Sequence, residues 1–107
     1  MNLDRFTHKA QEALQSSQGI AGRFNHQTIE PEHLLMALLE QRDGLVPQII
    51  EGMGAGTDAL RQRVESYLQS LPGIRGAGTA QLYLSARLNR ILALAEGEAK
   101  NFKDEYI

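Results

Sequence analysis

An all-α domain is the fold class this sequence predicts, and three observations predict it. Aromatic residues make up only 6% of the 107 positions and tryptophan is absent, so strands have little to be built from. Apolar residues recur at spacings of three and four, the period of a helix with one buried stripe. The third observation is an internal repeat, in which positions 6–29 align with positions 84–107 at an offset of 78 residues.

Phe6, Ala10, Ala13, Leu14, Ser17, Ile20, Ala21 and Phe24 form one stripe, which predicts a first helix over about residues 4–22 with Gly22 as its stop. A polar link, Asn25-His26-Gln27-Thr28, leads to Pro31, whose missing N–H suits the first position of a second helix over residues 31–41. Leu34, Leu35, Ala37, Leu38 and Leu39 cover more than half of that helix, which places it centrally. Asp43-Gly44 is a turn, followed by a short apolar helix over residues 45–51 with Pro47 in its first turn and Gly52 at its end. Thr57 is the expected cap of a fourth helix over residues 58–70, which Pro72-Gly73 ends. Ser85 is the expected cap of a fifth helix reaching about Asn101, with Leu88, Ile91, Leu92, Ala95, Ala99 and Phe102 as its stripe.

The fifth helix repeats the first. Leu14 aligns with Leu92, Gly19 with Gly97, Ala21 with Ala99, Phe24 with Phe102 and Ile29 with Ile107. Phe6 with Leu84, Thr7 with Ser85, Lys9 with Arg87 and Ala10 with Leu88 keep size or chemistry. The expected organisation is a first repeat over residues 1–71, a glycine-rich connection over 72–83, and the first part of a second, truncated repeat over 84–107. Ile29 is followed by the most apolar helix of the chain and Ile107 by nothing, so the stripe of the fifth helix is expected to lack a lid. Self-association through that stripe is the expected remedy, because the glycine-rich connection would let the fifth helix pair with a second copy.

Eleven basic against thirteen acidic residues give a net charge of -2, which removes the footprint of a nucleic-acid binder. With no cysteine there is no disulfide, thiolate nucleophile or thiolate metal site. Met1-Asn2-Leu3-Asp4-Arg5 opens no apolar export segment and no membrane span is visible, so the expected location is cytoplasmic.

Motifs for chemistry are weak. Gly52-Met53-Gly54-Ala55-Gly56-Thr57 lacks both the G-x-G-x-x-G spacing and a preceding strand, and no G-x-x-x-x-G-K-[ST] loop occurs, so it reads as a helix-to-helix turn. His26 and His33, seven apart across a proline, have no H-E-x-x-H arrangement with Glu30 and Glu32. His33 therefore reads as a hydrogen-bonded packing residue rather than a metal ligand. Ser16, Ser17, Ser66, Ser70 and Ser85 sit on helices or at a cap, none in a G-x-S-x-G elbow. No catalytic, cofactor-binding or metal-ligating residue emerges. What remains is a seam between repeats, near which Leu94, Tyr83 and Leu82 either complete the core or form a surface for peptides.

Asn2-Leu3-Asp4-Arg5-Phe6-Thr7, Ile29-Glu30-Pro31-Glu32-His33-Leu34-Leu35 and Ala37-Leu38-Leu39 resemble the Clp amino-terminal repeat domain, which fronts ring-forming ATP-dependent unfoldases. Leu71-Pro72-Gly73-Ile74-Arg75-Gly76, Tyr83-Leu84-Ser85 and Lys103-Asp104-Glu105-Tyr106-Ile107 look most like the ClpB-type disaggregases rather than the protease-coupled unfoldases. The resemblance implies tandem copies of a four-helix motif. It also implies a hexameric AAA+ parent whose ATP and magnesium sit in other modules, and unfolded or aggregated polypeptides as partners. The rival within the family is an adaptor-docking domain. Carried over by resemblance, the groove positions are Thr7, Leu92, Leu94 and Asp104.

Overall fold

The computed structural model describes residues 6–41, 43–73 and 82–101. Five helices account for most of them: α1 (His8–Arg23), α2 (Pro31–Glu40), α3 (Leu45–Gly52), α4 (Thr57–Ser70) and α5 (Ala86–Asn101). Two short strands, β1 (Thr28–Ile29) and β2 (Tyr83–Leu84), pair in parallel with Thr28 opposite Tyr83 and Ile29 opposite Leu84. The all-α expectation holds. The strand pair escapes sequence reading because two residues show no period and their partners lie far apart in the chain.

The caps explain where the helices begin and end. Thr7, not a residue near position 4, starts α1: its Oγ1 accepts the Ala10 N–H at 3.2 Å. Gly22 lies inside that helix. The stop is Asn25 at φ 59°, flanked by the reversed bonds from His26 N–H to the Ala21 carbonyl and from Asn25 N–H to the Gly22 carbonyl. Pro31 occupies the first turn of α2 behind a reciprocal capping box, in which the Glu30 N–H donates to His33 Nδ1. Thr57 does not cap α4. Gly56 holds the cap position, Thr57 is the first helical residue, and its hydroxyl is buried without a partner. Ser85 does cap α5, its Oγ accepting the Leu88 N–H at 3.0 Å.

Two apolar clusters hold these elements together. The first lies within the α1–α4 unit and joins Ala13 and Ile20 of α1 to Met36, Ala37 and Leu39 of α2 and Val64 and Leu68 of α4. The second joins Phe6, Ala21 and Ile29 to Leu88 and Leu92 of α5, with Ala10, Leu14, Leu34 and Leu82 packed against it. Gly73 permits the chain after α4 to cross the end of α1, since a Cβ there would lie 3.0 Å from the Phe24 carbonyl.

The second cluster is the seam between α5 and the first unit. α1 and α5 have 16 residues each, their ends are displaced by the same interval, and the aligned pair Thr7 and Ser85 caps both. Aligned positions also share the seam: Ala10 and Leu14 pack against the cluster that contains Leu88 and Leu92. Ala21 is fully buried and Ala99 nearly so, as the shared small residue predicts. Of the stripe expected to lack a lid, Leu88 and Leu92 are covered by the first unit, and only Ile91 is exposed among its described large residues. Phe102 and Ile107, like the connection from 74 to 81, lie outside the described residues.

Candidate functional site: the apolar face beside the seam

α5 presents two faces. Leu88 and Leu92 point into the seam and Ala99 is buried, whereas Ile91 is 44% and Leu94 62% exposed. Leu94 lies three positions after Ile91, so they are neighbours on one side of the helix. β2 leads into the same helix with Tyr83 54% and Leu84 39% exposed. These four are the exposed large hydrophobic side chains of the β2–α5 segment among the described residues, and Leu82 is partly buried against the seam.

The segment is fastened to the first unit at one end. Tyr83 N–H donates to the Gln27 carbonyl at 3.2 Å and Ser85 N–H to the Ile29 carbonyl at 3.0 Å. Arg87 Nη2 reaches Glu32 Oε2 at 2.9 Å, and its Nη1 lies 3.7 Å from Glu30 Oε1. The hydrogen bond to Glu32, with help from Tyr67 and Glu30, raises the guanidinium further above its ordinary value. At the matching position of α1, Lys9 forms an exposed pair with Asp43 at 2.8 Å.

The structure brings only part of the predicted groove together. Leu94 is on the exposed face and does not complete the core. Leu92, at 4% exposure, lies beneath that face in the seam and offers no surface as the molecule stands. Thr7 is exposed at the start of α1, next to Phe6 of the seam, with its hydroxyl engaged in the cap. Asp104 lies outside the described residues. The sequence did not single out Leu84, and it gave Ile91 only as one member of the stripe expected to lack a lid. The offset of 78 residues carried the signal for Ile91, since it aligns with Ala13, whose face on α1 another helix covers.

Elsewhere, α3 exposes Leu45 and Ile49, and Met53 just after it is exposed as well. A cleft of about 740 Å³ between α2, α3 and α4 is lined by Glu40, Glu51, Asp58 and Arg61. Among the described residues no three His, Asp or Glu side chains converge on a metal position. No described helix is long and apolar enough to cross a membrane.

The sequence profile described as "Clp repeat (R) N-terminal domain" matches residues 5–107. The chain belongs to that family. It is 41% identical over 109 residues to a chaperone protein ClpB of Nitratidesulfovibrio vulgaris, covering all of this chain and 13% of the relative. It is 42% identical over 106 residues to a chaperone protein ClpB 2 of Nostoc sp., covering 99% of this chain and 12% of that one. The chain thus spans about one eighth of the length of these relatives. Among solved structures it is similar to the N-terminal domain of the ClpV1 ATPase from E. coli EAEC, with TM-score 0.87 and 28% identity over 98% of this chain and 63% of that one. It is also similar to the N-terminal domain of ClpD from Arabidopsis thaliana, with TM-score 0.72 and 26% identity over 99% of this chain and 72% of that one. These likenesses identify a Clp amino-terminal domain with its ClpB relatives, in keeping with the repeated, all-helical architecture.

Proposed function

We propose that this chain is the amino-terminal substrate-contact domain of a ClpB-type chaperone that unfolds and disaggregates proteins, and that its exposed face at β2–α5 is where polypeptide is captured. The observation that carries the reading is the exposure of Tyr83, Leu84, Ile91 and Leu94 on a segment otherwise packed into the seam. Apolar contact is non-directional, so such a face suits capture of varied unfolded segments, while Arg87 and nearby carboxylates steer encounter. Affinity per domain should be low, and several copies in a ring would raise it. A solved structure named for a "Peptide from EAEC T6SS Sci1 SciI protein" aligns with this chain at TM-score 0.88 and 28% identity, which supports peptide recognition by this fold.

Thr7 borders the face in this reading, Leu92 supports it from below, and Asp104 adds an acidic group. ATP and magnesium belong to other modules of a hexameric AAA+ parent, located in the cytoplasm. No G-x-x-x-x-G-K-[ST] loop occurs in this sequence to hold a nucleotide, so the chain's part is binding and not hydrolysis. An adaptor-docking role is the alternative use of the same face.

Backbone amide shifts recorded while a permanently unfolded, apolar-rich polypeptide is added test the reading. The expected changes cluster at Tyr83–Leu84 and around Ile91 and Leu94. Changes confined to Leu45 and Ile49 of α3 and to Met53 just after it, or none at millimolar polypeptide, would overturn it.

A further inference from the structure

Two imidazoles face each other at the joint between the first unit and α5. His26, in the loop after α1, and His33, in the first turn of α2, are both buried, and His26 Nδ1 lies 2.8 Å from His33 Nε2. A neighbouring contact fixes the protons. The Glu30 N–H donates to His33 Nδ1 at 2.8 Å, so that nitrogen holds a lone pair. The proton of neutral His33 therefore sits on Nε2 and is donated to His26 Nδ1, which leaves the proton of His26 on its own Nε2. That N–H is buried without a partner, and Glu30 and Glu32 each keep one carboxylate oxygen buried without a donor.

This arrangement has no place for another proton. A proton on His33 Nδ1 would face the Glu30 N–H, and one on His26 Nδ1 would face the His33 Nε2–H, donor against donor in both cases. Burial pushes His33 down to about 4, an effect His26 reinforces and Glu30 and Glu32 oppose. Proton uptake must therefore break the pair, and an imidazolium set free finds acceptors in Glu32 Oε1 and in Glu30 Oε1, which has no hydrogen bond and only the 3.7 Å ion pair to Arg87. The same two carboxylates hold Arg87 of α5. The charged and titratable groups around the pair are thus Glu30 at the cap of α2, Glu32 in its first turn and Arg87 on α5, with Tyr67 of α4 bonded to Arg87.

We propose that the His26–His33 pair is a pH-operated clasp, closed while both rings are neutral and opened when protonation draws Glu30 and Glu32 away from Arg87 and frees β2–α5 from the first unit. A cavity of about 240 Å³ bordered by His26, Thr28, Glu30, His33, Leu71 and Pro72 gives a displaced ring room to move and hydrate. The strand pair transmits the displacement, because β1 begins two residues after His26 and ends immediately before Glu30, and it carries β2 directly. The clasp would set how far the seam opens. Its bearing on capture rests on the proposed substrate-contact role, but its operation needs no client.

Amide hydrogen exchange of the 107-residue chain at pH 7 and pH 5, corrected for intrinsic rates, is the test. If release is linked to proton uptake by His33, the opening constant of α5 at Leu88 and Leu92 rises roughly twentyfold between these pH values. The amides of Val64 and Leu68 in α4 keep their protection. His33→Gln retains an acceptor for the Glu30 N–H and removes the titration, so the pH response of α5 disappears. Equal protection of α5 at both pH values in the parent, or an unchanged pH response in His33→Gln, overturns the proposal. If that variant does not fold, the parent decides: acid loosening of α5 at Leu88 and Leu92 that sets in together with His33 protonation, while α4 keeps its protection, upholds the clasp, and His33 protonation without loosening of α5 refutes it. No client is present in these experiments, so their failure leaves polypeptide capture standing, and failed capture leaves the clasp standing.

Discussion

α1 and α5 each run for 16 residues behind a hydroxyl cap, and each gives apolar side chains to the seam, yet their remaining faces differ. On α1, Ala13, Ser17 and Ile20 are buried, with Ala13 and Ile20 packed among Met36 and Ala37 of α2. The aligned positions on α5 are Ile91, Ala95 and Glu98, and Ile91 and Glu98 are exposed. The aligned helices thus share a seam face but differ on the second, which is covered on α1 and exposed on α5, because the seam uses one face and leaves the other to its surroundings. The contrast assigns stability to residues such as Leu92 and surface contact to Leu94, two positions further along the same helix.

The largest effect that sharpens this contrast is Leu92→Ala, expected to cost about 2 to 5 kcal/mol by leaving a cavity in the seam. Denaturant midpoints at constant slope would measure it. Acid comes next. His33 has its folded pKa lowered from 6.5 to about 4, so its contribution is complete above the unfolded value and is lost as pH falls from there toward 4. The loss is on the order of 3 kcal/mol, and stability measured across pH 7.5 to 4 in the parent and in His33→Gln should show it in the parent alone. A smaller effect compares the caps: Ser85→Ala and Thr7→Ala should each cost about 1 kcal/mol, read from the same midpoints. The Ser85 change should loosen α5 with little effect on α1, and the Thr7 change the reverse, as exchange at Leu88 and Ala10 would report.

Much of this architecture was legible in the sequence because it rests on local chemistry. Pro31 in the first turn of α2, Pro47 early in α3 and Ser85 before α5 each follow from what one residue permits its backbone. Local chemistry also misled. Thr57 is a competent cap that the chain does not use, and Gly22 is a helix breaker overruled by Asn25 three residues later. The β1–β2 pair and the His26–His33 bond were not legible, because each joins residues that only the tertiary fold brings together. For the candidate site, spacing placed Leu94 beside the stripe of α5 but could not show which stripe residues a neighbour would cover. The whole stripe was expected to lack a lid, yet Leu88 and Leu92 are covered and Ile91 is exposed.

The most direct measurement pairs capture with stability in Leu94→Ser. Leu94 is exposed, so the substitution should shift stability by no more than about 0.5 kcal/mol. Retention of an unfolded, apolar-rich polypeptide should fall at least about threefold, since removing an exposed apolar contact of this size weakens binding by on the order of 1 kcal/mol. Unchanged capture together with a core-sized loss of stability would contradict the division of labour between the two faces of α5.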